Sequence, residues 1–226
     1  MLGAVAVKPT GEREARPGDR REQIRLMAGE MFFERGFEST SIRDLAAALD
    51  IKTASLYYHF PDKEQILYEV VGSVLDQLVD GARALVARQD SARLRLAALV
   101  ANHVVLHALR PKATTLGDSE LRSLTGERRE RNIRTRDDYE RLVIGVLEDG
   151  REAGAFDVID TKLTAYAIIA QASHVGTWYQ AGGRLSLEEV TATYVGLALR
   201  MVAAEPVAGA DLERLVSETR AFHGRP

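Results

Sequence analysis

Residues 39–67 read STSIRDLAAALDIKTASLYYHFPDKEQIL, and the rest of the chain is best read outward from them. Ser41 stands where a side-chain oxygen can accept from the first free amides of a helix, and Asp44 follows three residues on, the spacing of a capping box. Ile42, Leu45, Ala46 and Leu49 share one face of that helix, and the alanines at 46–48 let a neighbour approach closely. Asp50 falls at a tight turn that asks for positive φ, which Asp tolerates less readily than Gly, and Ile51 plugs the turn inward. A second short helix begins near Thr53, with Leu56 turned inward and Thr53, Ser55, Tyr57 and Tyr58 facing outward. Pro61 stops it, and Asp62 caps the next helix, with Gln65 spaced for a second capping box.

Two short helices joined by a tight turn form a helix-turn-helix, whose second helix fits the major groove of DNA. Short side chains near its start reach base edges, so Thr53 and Ser55 are the candidates for readout. Lys52, Tyr57, Tyr58, His59 and Lys63 are candidates for the phosphate backbone, with Thr40 and Arg43 as weaker ones at the start of the preceding helix. The competing reading is a helical hairpin with surface tyrosines and no nucleic-acid role. It fits the run Tyr57-Tyr58-His59 poorly, because aromatics would then occupy both faces of a short helix.

The strings TSIRDLA (40–46) and TASLYYHFPDKE (53–64) resemble the DNA-binding signature of the TetR family of transcriptional regulators. The core of the resemblance is Leu56, Tyr57, His59, Phe60 and Lys63. Two positions depart from the family pattern: Asp50 at the turn and Ala54 in the second helix, each often Gly. The resemblance implies an all-α homodimer that binds double-stranded operator DNA and responds to a small effector in a larger C-terminal domain.

Composition is that of a globular chain: 226 residues, 46% hydrophobic and 28% charged. There is no cysteine, so disulfides, thiolate metal sites and cysteine nucleophiles are excluded, which fits a cytoplasmic protein. The opening MLGAVAVKPTGER lacks a basic start followed by a sustained apolar core, and no run approaches eighteen consecutive apolar residues, so neither a secretory signal nor a membrane partner is expected. Net charge is −3, and residues 19–64 hold seven Lys/Arg against nine Asp/Glu. DNA binding must therefore rest on a few placed groups rather than on bulk charge.

Three regions follow. Residues 1–18, with Pro9, Gly11, Pro17 and Gly18, read as a flexible arm, either a plain tail or one tracking DNA through Lys8, Arg13 and Arg16. Residues 19–66 form the DNA-binding domain. Its first helix carries Ile24, Met27, Ala28 and Met31 on one face and ends at Gly36, suited to a left-handed cap, with Phe37 packing back. Residues 67–226 form the effector-binding and dimerisation domain, with helical periodicity over about 64–88, 91–109, 119–151, 160–180 and 186–204, and a short helix over about 210–222. Pro111, Gly117, Gly154, Gly182 and Gly183 punctuate it, and no strand pattern appears.

In the larger domain, Leu187, Val190, Tyr194, Leu197 and Met201 recur at coiled-coil spacing, and Ile168, Ala172, Val175 and Tyr179 line the preceding helix. The resemblance places the dimer interface on these two segments, although part of each stripe must face the chain's own core. For the effector pocket, the candidates are Asn102, His103 and His107 on one helix, and His174 with Trp178 on another. Histidines four apart can bind zinc, but no carboxylate accompanies them, so no metal and no cofactor is expected. TWYQAGGRLSLEEV (177–190) resembles a TetR subgroup that regulates lipid and steroid-ring breakdown, some members answering to acyl-CoA thioesters. On that reading the basic run ERRERNIRTR (127–136) meets CoA phosphates; the plainer reading is a solvated helix face with internal ion pairs. No nucleophile elbow, phosphate loop or paired acidic motif is present, so no catalytic residue is assigned and an enzyme is not expected. A same-fold activator or multidrug-type sensor remains the other reading of function.

Overall fold

A computed structural model describes residues 17–224. The expected arm and its Lys8, Arg13 and Arg16 lie outside those residues, but Pro17 and Gly18 open a helix rather than ending a tail, because Pro suits the first helical position. All described secondary structure is helical. The reading unit contains α1 (Pro17–Arg35), α2 (Ile42–Ala48) and α3 (Thr53–His59). The body follows as α4 (Lys63–Val86), α5 (Ala92–Leu109), α6 (Pro111–Ser119), α7 (Gly126–Glu152), α8 (Thr161–Ser173), α9 (Val175–Trp178), α10 (Leu187–Met201) and α11 (Gly209–His223), with a 3-10 turn at Leu121–Ser123.

The local signals in the reading unit hold. Ser41 and Asp44 form the capping box, closed by Asp44 N to Ser41 Oγ at 3.1 Å and Ser41 N to Asp44 Oδ2 at 2.9 Å. Gly36 takes φ +86°, the left-handed cap, and Asp50 takes φ +52° at the turn. Asp62 caps α4 by accepting from Gln65 N at 2.6 Å. The second capping box is only half formed, because the Gln65 amide reaches Glu69 at 2.9 Å instead of turning back.

Pro111 and Gly117 were expected to mark a break. Instead they lie within α6, since a proline at a helix's first position has no amide to waste. The following helix accordingly begins at Gly126, after the 3-10 turn, and not near residue 119.

Two apolar clusters organise the molecule. The smaller one gathers Ile24, Phe32, Leu45, Leu56, Phe60 and Leu67, and is completed by Leu116 and Leu124 from beyond α5. The larger surrounds α5, which packs against α4, α7, α8, α10 and α11. By length and composition alone α5 could cross a bilayer; here it is the core helix, buried over two-thirds of its length.

The larger cluster encloses histidines held neutral. Burial, helped by the Arg110 charge, pushes His223 from the ordinary 6.5 down to about 4. Burial and the His107 charge hold His103 well below its usual range, and burial also lowers His107, opposed by its bond to the His103 carbonyl and by Asp118. Below the ordinary histidine range the unfolded chain takes up protons that the folded chain refuses, so unfolding free energy falls with pH. The thermal midpoint is therefore expected to drop between about pH 7 and about pH 5. His223→Gln, which keeps a donor for its neighbour, should shallow that drop; an unaltered pH profile would refute His223's share.

Candidate nucleic-acid interface and ligand cavity

The outer face of α3 is built by the alternation of one inward and several outward residues. Leu56 and Phe60 are fully buried, while Lys52, Ser55, Tyr57 and Tyr58 are exposed and Thr53 and His59 are half-buried. Tyr58 meets the His59 ring edge-on at 5.2 Å. Arg21 of α1 fixes the helix end: it donates to the His59 carbonyl, pairs with Glu69 of α4, and lies 4.2 Å over the Phe60 ring. Arg43 is exposed on α2 beside this face.

Two expected DNA contacts make hydrogen bonds within the protein. Thr40 is buried, and its hydroxyl donates to the Gly36 carbonyl at 2.9 Å, closing the turn after α1. Lys63 donates from Nζ to the Phe37 carbonyl at 2.8 Å and sits 4.2 Å over the Phe37 ring, so its charge ties that same turn to α4. Thr40 is thereby enclosed, while Lys63 stays half-buried at the start of α4.

Between α4, α5, α6, α7 and α8 lies a cavity of about 350 Å³. Val71, Val74, Leu75 and Leu78 of α4 and Leu106 of α5 give it apolar walls, and Ile169 of α8 closes another side. Its polar side is His103, His107, Tyr139 and Ser173. His103 Nδ1 meets Tyr139 Oη at 2.9 Å and its Nε2 meets Ser173 Oγ at 2.9 Å; His107 stacks on His103 with ring centroids 4.2 Å apart. Both His103 nitrogens are thus engaged within the protein, which leaves the pair without the two open nitrogens a zinc ion would use. At the edge, Arg136 donates to the Asn132 side chain, the Gly117 carbonyl and Asp118, stapling α7 to α6.

Of the five expected pocket residues only His103 and His107 line this cavity. Asn102 points the other way: it is fully buried, donates to the Leu78 carbonyl at 2.9 Å, and its Oδ1 meets His223 Nε2 at 2.8 Å. His174 and Trp178 are exposed, Trp178 stacking on Tyr194 at 6.4 Å. Tyr139, Ser173 and Thr114 escaped the sequence reading because lone hydroxyls carry no spacing signal, whereas Arg136 closes the basic run 127–136 already singled out.

The expected interface stripes also divide. Ile168, Ala172, Val175, Leu187 and Val190 are buried against the chain's own core, while Leu197 and Met201 are exposed and Tyr179 and Tyr194 half-buried. Leu163, Tyr166 and Trp178 are also exposed, Tyr166 at the cavity. In the basic run, Arg131 and Arg134 pair one turn back with Glu127 and Glu130 at 3.8 and 3.5 Å, as a solvated helix face does.

One link runs between the two regions. Arg128 of α7 grips the α4 cap, with its guanidinium nitrogens 3.0 and 2.9 Å from the two Asp62 oxygens and 3.5 Å from Glu64. The Thr125 amide donates to Glu64 at 2.7 Å. Burial alone would raise the Asp62 carboxyl, but the Arg128 and Gln65 bonds prevail and hold it below its usual range.

Comparison with known proteins agrees with this architecture. Residues 27–70 match the family model "Bacterial regulatory proteins, tetR family", and residues 89–202 match "Tetracyclin repressor-like, C-terminal domain", half of the chain. The chain belongs to the TetR family. The HTH-type transcriptional repressor KstR2 of Rhodococcus jostii is 31% identical over 183 residues, spanning 80% of this chain and 89% of that protein. Among solved structures, the ketosteroid transcriptional regulator KstR2 of Mycobacterium tuberculosis superposes with a TM-score of 0.77 at 26% identity, over 84% of this chain and 98% of that one. AibR, crystallised with isovaleryl coenzyme A and operator DNA, shares the fold with a TM-score of 0.73 at 22% identity, over 82% and 100% of the two chains.

Proposed function

We propose that this TetR-family chain is a homodimeric repressor whose α3 helices read two half-sites of an operator, and which a lipid-like effector releases by entering the α4–α8 cavity. The observation that carries this reading is the continuity of α4. Its first turn follows directly on α3 and is gripped by Arg128, while Val71 to Leu78 further along wall the cavity. A ligand that spreads α7 from α4 thereby changes the spacing of the two α3 helices, and a spacing error misaligns a half-site with its groove.

The base-reading residues are Thr53 and Ser55, with Lys52, Tyr57, Tyr58, His59 and Arg43 against phosphates. Dimerisation uses the face of Leu163, Trp178, Tyr194, Leu197 and Met201, whose exposed apolar area has no cover in one protomer. An acyl-CoA or other lipid-like molecule is the favoured effector class, suggested by the resemblance of residues 177–190 and, for an apolar ligand, by a relative named as a ketosteroid regulator. A cavity of this volume takes only the acyl or ring portion, leaving the nucleotide outside near Arg136. Since the operator is chromosomal DNA, the protein acts in the cytoplasm, as a binding protein rather than an enzyme.

The test is binding of the purified chain to DNA upstream of its own coding region, across a salt series, followed by release with acyl-CoA thioesters. A salt-sensitive, sequence-selective complex that a thioester dissolves supports the reading; a folded dimer without selective binding rejects it. In the same assay Arg128→Ala should leave effector affinity near wild type. It should reduce the effector-induced loss of operator affinity by about two- to thirtyfold. Full coupling in that variant would place the transmission elsewhere.

A further inference from the structure

Inside the cavity, the hydrogens can be counted. Neutral His103 has one ring proton, Tyr139 and Ser173 have one hydroxyl proton each, and these three protons serve two bonds. If His103 carries its proton on Nε2, it donates to Ser173, Tyr139 donates to Nδ1, and the Ser173 O–H is left over. If the proton is on Nδ1, Ser173 donates to Nε2 and the Tyr139 O–H is left over. Both hydroxyl residues line the cavity, so in either tautomer one donor remains for an occupant.

The stacked neighbour supplies the opposite function. His107 Nδ1 lies 2.9 Å from the His103 carbonyl, which can only accept, so the His107 proton is on Nδ1. Its Nε2 is then a bare lone pair. That atom makes no hydrogen bond among the described residues, yet it is not sealed in the protein interior, and His107 itself is a buried residue lining the cavity. The other polar and charged groups lining the cavity are His103 on its own helix, Thr114 and Asp118 of α6, Arg136, Tyr139 and Glu140 of α7, and Tyr166 and Ser173 of α8. Arg136 is committed to Asn132, Gly117 and Asp118, so no free cation faces inward from these groups.

We infer that the cavity selects an uncharged, apolar molecule bearing a hydroxyl group, which accepts from the Tyr139–His103–Ser173 relay and donates to His107 Nε2. A ketone satisfies the relay and leaves His107 unpaired. A carboxylate also accepts from the relay, but it sets a negative charge against the His107 lone pair with no cation to balance it. A carboxylic acid would have to enter masked, as an ester, amide or thioester. The inference rests on the cavity being the effector site only for its biological meaning; the polarity preference is a property of the cavity itself.

The test uses three probes of equal chain length, decan-1-ol, decan-2-one and decanoate, titrated calorimetrically into the purified full-length chain near neutral pH. The alcohol is expected to bind about tenfold more tightly than the ketone, one hydrogen bond being worth roughly that factor, with decanoate weakest. His107→Phe keeps the stacked ring and removes the acceptor; it should bring alcohol and ketone to parity, with circular dichroism reporting that it folds. Decanoate binding as tightly as decanol, no measurable binding of any probe, or an unchanged ranking in a folded His107→Phe overturns the inference. Should the ranking hold while no probe releases operator DNA, the polarity code stands and the effector reading of the cavity fails.

Discussion

Replacing Lys52 and Tyr57 together by alanine should lower operator affinity on the order of a thousandfold without altering the fold. Both side chains are exposed on the outer face of the recognition helix and make no hydrogen bond or ion pair among the described residues. Each dimer loses the pair at two half-sites, and four contacts at about 1 kcal/mol apiece sum to about 4 kcal/mol, each 1.4 kcal/mol being tenfold. Removing one phosphate-facing lysine per half-site should also flatten the dependence of log affinity on log salt by about two units. Fluorescence anisotropy with a labelled operator over a salt series measures both. An unchanged slope would mean that Lys52 does not meet phosphate, and an unchanged affinity would move the interface off α3. Lys63→Ala is the informative contrast, because its ammonium is bound to the Phe37 carbonyl and ring; its loss should loosen the reading unit thermally rather than change the salt slope.

The second large effect is on stability. Asn102→Ala strips the only partner from His223 Nε2 of α11, removes a second bond from the Leu78 carbonyl of α4, which keeps its helical one, and leaves a void where the amide stood. The orphaned His223 donor costs about 1–3 kcal/mol and the void adds to it, so the variant should unfold about 3 kcal/mol more easily. Gly81 marks how tight that junction is: an added Cβ would run into Asn102 Oδ1 and press on the Phe222 and His223 rings. Denaturant titration at fixed protein concentration gives the number, and probe affinities at the cavity should stay near wild type in the folded variant. A change in ligand ranking would instead return Asn102 to the pocket.

These two residues also show where sequence reasoning reaches and where it stops. Capping chemistry acts over three or four residues, and so Ser41 with Asp44, Gly36 and Asp62 could be read before any tertiary contact was known. Periodicity likewise located α4, α5 and α10. It says which residues share a face, but not which neighbour that face meets. Asn102 and His103 are adjacent in the chain, about 100° apart around α5, so one turns to α11 while the other turns to the cavity. His174 and Trp178 were expected on one helix over 160–180, but the chain breaks at His174 between α8 and α9, and both side chains are exposed. Thr40 shows the same limit at shorter range, since a hydroxyl beside a helix start suits a phosphate or a carbonyl equally well, and Gly36 was nearer. The Arg128 grip on Asp62 spans 66 positions and left no trace in local pattern.

Leu116 and Leu124 bear on how such a protein could be rebuilt. They come from the stretch after α5, yet they are buried in the small cluster under the recognition helix. The DNA-reading head is therefore not a cassette ending near residue 70. A chimera that grafts it onto another ligand-sensing body inherits an open hole beneath α1 and α4 unless the donor's 111–124 segment travels with it, and operator choice and inducer choice should trade independently only between bodies that supply a matching plug.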